Sequence, residues 1–107
     1  MGLEQYSIVV VDLEPTIGSE MKKTRPCVIL SPIEMNDNLN TIIISPLTTS
    51  TKKYPSRVKV KFQNKNGSIA LDHIRTIDKK RIESYHKKIT PSEIASVKET
   101  LLQMLIQ

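Results

Sequence analysis

Three short apolar runs rich in β-branched residues, each followed by a proline, constrain this fold more than any other feature. Ile8-Val9-Val10-Val11 runs on to Pro15, Cys27-Val28-Ile29-Leu30 stops at Ser31-Pro32, and Ile42-Ile43-Ile44 meets Pro46. Branched side chains crowd a helical turn but fit a pleated surface, and proline cannot donate to a ladder. Strands are therefore predicted over Ser7 to Leu13, Arg25 to Leu30 and Thr41 to Ser45, the first of them buried on both faces or nearly so. Arg57 to Phe62 then alternates strictly, Val58, Val60 and Phe62 facing inward and Arg57, Lys59 and Lys61 outward, the period of a half-buried antiparallel strand. Asn64 to Gly67 reads as a turn, Ser68 to Leu71 as a resumed strand and Ile74 to Ile77 as a further short one. Glu14 to Thr24 and Leu47 to Pro55 read as loops, and Glu34 to Asn38 as a brief helical turn.

The period changes near the end. Thr90-Pro91-Ser92-Glu93 has capping-box spacing, with proline at the first helical position, and Ile94, Val97, Leu101, Met104 and Leu105 then share one helical face. Several short strands followed by a helix make this a mainly β chain with helices (α+β), a small curled antiparallel sheet closed by helices. At 107 residues, with no repeat or linker, residues 1–107 form one domain. Its aromatics are only Phe62, Tyr6, Tyr54 and Tyr85, so the core is Ile, Leu and Val, and a dimer interface is a natural way to bury more. With no signal-like segment and no apolar stretch of spanning length, a soluble cytoplasmic protein with no membrane partner is expected.

The net charge is +5, but its distribution says more. Between Asp37 and Asp72 no acidic residue occurs, while Lys52, Lys53, Arg57, Lys59, Lys61 and Lys65 contribute six positive charges. That stretch suits a polyanion, although a basic comb also serves simply as the solvated face of a strand. Cys27, in an apolar run, reads as a small buried hydrophobe. His73 and His86 have no second His or Cys at ligand spacing, and no carboxylates cluster, so neither a metal site nor a cofactor is expected.

Polar motifs fall at the ends of these strands, where a substrate can reach them. They are Pro15-Thr16-Ile17-Gly18-Ser19-Glu20 with Thr24-Arg25-Pro26, then Pro46-Leu47-Thr48-Thr49-Ser50, then Asp72-His73-Ile74-Arg75-Thr76. Cutting RNA without a metal needs a base for the 2′-hydroxyl proton, an acid for the departing 5′-oxygen and positive charge on the phosphate. Arg25 suits the charge, because a guanidinium stays protonated and grips two phosphate oxygens, though it also suits a structural pair with Glu20. The Thr48 hydroxyl can donate to a phosphate oxygen or orient the 2′-hydroxyl but is a poor general base, and it can equally cap its own turn. Glu20 either accepts a proton or orients Arg25.

In order and spacing these motifs resemble the MazF/PemK family of toxin endoribonucleases, from about Ile8 to the last helix. The resemblance implies an SH3-like antiparallel barrel, shared with CcdB toxins, and a homodimer that cleaves single-stranded mRNA at selected sequences. It implies attack by the 2′-hydroxyl, leaving 2′,3′-cyclic phosphate and 5′-hydroxyl ends, and a MazE-like antitoxin whose acidic tail lies in the basic groove. Gly18-Ser19-Glu20, four residues, then Arg25-Pro26 is the family's spacing for its catalytic arginine, and Thr48 matches its active-site threonine, with Thr49 beside it. Ser19 stands where some relatives carry histidine, leaving a phosphate-binding role. Asp72 and His73 fall in the family's Asp-Gln-Ile/Val-Arg/Lys-Ser/Thr block, His73 replacing the amide, with a catalytic or a structural role open to both. Lys52, Lys53, Arg57, Lys59, Lys61 and Arg75 are the expected RNA contacts. Other readings are a CcdB-like toxin that poisons gyrase without catalysis, or a basic barrel that binds RNA without cutting it.

Overall fold

A computed structural model describes residues 2–14, 18, 23–50 and 52–106. Its strands and helices are β1 Ser7–Asp12, β2 Thr24–Ile29, α1 Ile33–Asn38, β3 Thr41–Thr48, β4 Arg57–Phe62, β5 Lys65–Ala70, β6 Arg75–Asp78, β7 Ile82–Lys88 and α2 Pro91–Leu105. The sheet runs β4-β5-β3-β2-β1-β7, with β6 also paired to β3. All of its pairs are antiparallel. β3 is the axis. Its Thr41–Ile44 half pairs with β6, Leu47 and Thr48 pair with β5, and β2 covers Ile44 to Pro46 from the other edge. Two partners sharing one edge of a strand must diverge, and the sheet curls into a half-barrel closed by α2.

Pro46 does not end β3 as the sequence suggested; the strand runs on to Thr48 and takes Leu47 out of the expected loop. The proline is tolerated because it falls where the β6 pairing has ended, at Ile44, and the β5 pairing has not begun, at Leu47. The turn expected over Asn64 to Gly67 is tighter and earlier. Phe62 pairs with Lys65, so Gln63 and Asn64 alone turn the chain, both at positive φ (51° and 63°), as a two-residue hairpin demands. β7 was not anticipated. Its IESYHKK sequence half-buries Ile82, Ser84 and His86 on one face, too polar a stripe to stand out as a strand.

β1 and β2 are buried on both faces because core lies on each side of them. Ile8 and Val28 join Leu47, Val58, Val60 and Ile69 beneath α2. Val9, Val11, Cys27 and Ile29 join Ile42, Ile44 and Ile77 on the other face. The predicted capping box of α2 is present, with Glu93 N donating to Thr90 Oγ1 at 3.2 Å and Thr90 N to Glu93 Oε1 at 2.8 Å. Glu93 Oε2 also accepts the Lys61 amide at 3.1 Å, tying the helix to β4, an end strand of the sheet. Val97 is buried and Ile94, Leu101 and Met104 pack on the core, whereas Leu105, expected on that face, is 58% exposed beside Leu102 and Ile106. The last turn of α2 has outrun the sheet.

Candidate active site

β2 and β3 run antiparallel with Cys27 opposite Pro46, and continuing that register by two residues sets Arg25 beside Thr48. Both line one cavity of about 310 Å³. Pro26 and Thr49 complete its strand-end wall, and Phe62, Gln63, Lys65, Asn66 and Gly67 of the β4–β5 hairpin form the other. Arg25 is half-buried, so its charge faces the cavity from a partly desolvated position. Thr48 Oγ1 accepts the Ser50 amide at 3.2 Å. That turn bond uses one lone pair and leaves the O–H hydrogen to donate into the cavity.

Two further features hold this pair in place. Cys27, fully buried, donates its thiol hydrogen to the Arg25 carbonyl at 3.5 Å. Burial pushes that thiol up to about 12 against the opposing pull of Arg25 and Arg75, so it stays protonated and inert. On the hairpin side, a Cβ at Gly67 would stand 2.5 Å from the Thr48 carbonyl oxygen. Only glycine lets β5 pass this close to the strand end carrying Thr48.

A second cavity of about 460 Å³ runs along the same hairpin, lined by Lys53, Lys59, Lys61, Asn66 and Ser68, with Glu93 of α2 the one carboxylate among the described residues lining it, against three lysines. Val60, Asn66 and Gly67 line both cavities, so the Arg25–Thr48 cavity opens onto a lysine-lined track. No ion pair among the described residues engages Lys53, Lys59 or Lys61. Ser19 and Glu20 lie outside the described residues. The chain on either side of them is pinned together, with Lys23 N donating to Glu14 Oε1 at 2.8 Å, Leu13 N to Lys23 O at 3.2 Å, and Arg81 to the Asp12 and Glu14 carbonyls. Among the described residues, no group of three or more His, Cys, Asp or Glu side chains is arranged to hold a metal.

Residues 4–105 match the family model described as the PemK-like, MazF-like toxin of type II toxin-antitoxin systems. The chain belongs to this PemK/MazF toxin family. It is 32% identical over 92 residues to the endoribonuclease toxin MazF of Escherichia coli strain K12, covering 85% of this chain and 83% of that one. It is also 30% identical over 105 residues to the endoribonuclease MazF of Staphylococcus epidermidis, covering 92% and 88%. In fold it is similar to the crystal structure of MazF from Deinococcus radiodurans, with TM-score 0.87, 24% identity and coverage of 100% and 99%.

In this PemK/MazF chain, Asp72 and His73 stand apart from the Arg25–Thr48 cavity. Arg57 grips Asp72 with two bonds, Nε to Oδ1 at 2.7 Å and Nη2 to Oδ2 at 3.0 Å, and Ser56 Oγ donates to Oδ1 at 3.1 Å. The Arg57 bond holds the Asp72 carboxyl below the usual carboxylate range, against partial burial and with help from Ser56. His73 Nε2 lies 3.5 Å from Oδ2, and the Arg57 guanidinium sits 5.3 Å over the Tyr54 ring. Arg57 thus joins the start of β4 to the turn after β5, and its charge is spent there. Lys53 faces the basic track. Lys52 and Arg75 line neither cavity. Sequence reasoning did not single out the hairpin wall Phe62, Gln63, Lys65, Asn66 and Gly67 as part of the site. The signal that could have found it was the alternating strand followed by polar turn residues, which marks a hairpin but not what the hairpin leans against.

Proposed function

We propose that this chain is a MazF-type endoribonuclease, the toxin of a toxin–antitoxin pair, cutting single-stranded RNA without a metal. The observation that carries this reading is the shared cavity of Arg25 and Thr48, opening onto a track lined by Lys53, Lys59 and Lys61. Arg25 binds the scissile phosphate through paired N–H groups and offsets the charge that builds on its oxygens as the 2′-hydroxyl attacks. Thr48 donates its hydroxyl to a phosphate oxygen, since its acceptor side is held by Ser50. Glu20, five residues before Arg25 in sequence, supplies the carboxylate of the same motif, and Ser19 a phosphate contact. The products are a 2′,3′-cyclic phosphate and a 5′-hydroxyl.

Unstacked RNA is the substrate, because an A-form duplex hides its base edges from a groove of this kind. Lys53, Lys59 and Lys61 hold its phosphates, while Asp72 and Arg57 act structurally. Structures described as MazE–MazF from Deinococcus radiodurans and as a mycobacterial endoribonuclease with its cognate antitoxin share this fold, which supports a MazE-type antitoxin as partner. A cytoplasmic homodimer is part of the same reading. Leu102, Leu105 and Ile106, 52%, 58% and 68% exposed at the end of α2, are apolar surface that a second copy would cover.

The test is incubation of the purified protein with a long RNA in excess EDTA, with 5′ ends mapped afterwards. RNA is expected to be cut and DNA left intact, and 2′-deoxy substitution at the cut nucleotide should abolish cleavage. A strict magnesium requirement, or cutting that survives the 2′-deoxy change, would overturn the mechanism. Binding without any cutting would return the chain to the class of RNA-binding barrels.

A further inference from the structure

β4 and β7 stand at the two ends of the sheet order, and side chains rather than strand pairing bridge them. Phe62 and His86 meet edge to face, ring centroids 5.2 Å apart and planes at 85°. Beside them lies a cavity of about 330 Å³ lined by Lys61, Gln63, Lys87 and Lys88 as well as the two rings. Glu93 is the only carboxylate among the described residues lining it, both its oxygens are tied to the Thr90 and Lys61 amides, and its single charge is outnumbered by three lysines. Lys88 reaches Glu4 at 3.7 Å, but both side chains are exposed and water screens the pair. His86 Nε2 is 3.0 Å from Ser84 Oγ, which fixes the ring. The seam therefore presents three ammonium groups around an ordered aromatic pair.

Phe62 and Gln63 line this cavity and the Arg25–Thr48 cavity alike, so a strand leaving the cut site crosses one shared wall to enter the seam. We propose that the β4–β7 seam is a flanking RNA subsite, holding nucleotides beyond the scissile phosphate. Lys61, Lys87 and Lys88 contact the phosphates, and a base lies against the half-buried Phe62–His86 pair where it borders the cavity. Cations tracking a backbone beside aromatic rings are what single-stranded nucleic acid requires. An acidic peptide would use the cations and leave the rings idle, so RNA is favoured. The inference rests on the endoribonuclease reading and adds to it a site that determines how much RNA the enzyme grips.

The experiment compares a short RNA carrying only the mapped cut site with the same RNA lengthened by a few nucleotides on each side. For the parent, lengthening should raise kcat/KM about tenfold or more, chiefly through KM. Lys87→Gln with Lys88→Gln should leave the short RNA cut at the parental rate and remove most of that gain. The salt dependence of the gain should flatten by roughly 0.7 log units per lost contact. His86→Ala should cut the gain several-fold by removing a stacking face. A parent that gains nothing from lengthening, or a double lysine variant that keeps the whole gain, overturns the subsite while leaving the endoribonuclease reading intact. A double variant that keeps the gain but loses affinity for a glutamate-rich peptide also overturns it, and assigns the seam to a protein ligand. Failure of the parent to cut either RNA overturns the underlying reading instead.

Discussion

In the proposed mechanism Arg25 and Thr48 contribute different things to one phosphate, and their variants should fail in ways that show it. Removing either side chain withdraws a charge or a donor that acts most strongly as the phosphate gains charge, so most of the loss belongs in kcat. Arg25→Ala and Thr48→Ala are each expected to slow cleavage by about two orders of magnitude, roughly 3 kcal/mol of transition-state stabilisation. Thr48→Ser, which keeps the hydroxyl, should retain most of the rate. Near-parental cutting by both alanine variants, with unchanged melting, would remove the pair from the mechanism. Asp72 is the contrasting case. Its carboxyl is held below its ordinary range by Arg57, so it contributes stability that is fully present above the unfolded carboxylate pKa of about 3.9 and is lost as pH falls through its depressed native pKa. A partly exposed pair of this kind is worth about 1 kcal/mol or less. Asp72→Asn should therefore lower stability in urea melts at pH 7, and the gap to the parent should close as acidification protonates the native Asp72, below the ordinary carboxylate range. A large loss of cleavage in a variant as stable as the parent would instead give Asp72 a part in the chemistry.

At the scale of elements, the site depends on how closely the β4–β5 hairpin leans on the end of β3. With a Cβ at residue 67 only 2.5 Å from the Thr48 carbonyl oxygen, Gly67→Ala must push the two strands apart or tilt Thr48. A displacement of that order costs catalysis more than folding. The expected result is at least a tenfold fall in kcat with a stability loss of about 1–3 kcal/mol from overpacking, read from single-turnover cleavage and melts on the same sample. An alanine variant with parental turnover would show that the hairpin does not set Thr48. The same elements show what a sequence can and cannot disclose. Ile8–Val11, Arg57–Phe62 and the Thr90–Glu93 cap were legible because burial on a sheet or a helix start imposes a local pattern. Arg25 and Thr48 were singled out through the resemblance to the toxin family, and what the fold adds is that both line one cavity. β7 and the extension of β3 through Pro46 were not legible, because each depends on a partner distant in sequence: β1 gives polar β7 its pairing, and a gap between β5 and β6 makes room for the proline. The hairpin wall of the cavity was hidden for the same reason.

For the molecule as a whole, the +5 net charge matters less than where the unpaired part of it lies. Arg57 has been withdrawn from the basic stretch into its pair with Asp72, while Lys59 and Lys61 remain exposed on the strand that borders the track. In the proposed complex such side chains touch phosphates and read no base, setting affinity and its salt dependence and leaving recognition to the cavity walls. Replacing Lys59 and Lys61 together by Gln should weaken binding to all single-stranded RNAs alike. The slope of log affinity against log salt should flatten by roughly 0.7 per lost contact, about 1.4 for the pair, with mapped cut sites unchanged. Arg57→Gln should behave differently, lowering stability through Asp72 while leaving the salt slope near the parental value. An altered cut sequence in the lysine variant, at unchanged slope, would mean that the comb reads bases. Equal flattening by Arg57→Gln would mean that this arginine leaves Asp72 when RNA arrives, and that the ion pair gates the track.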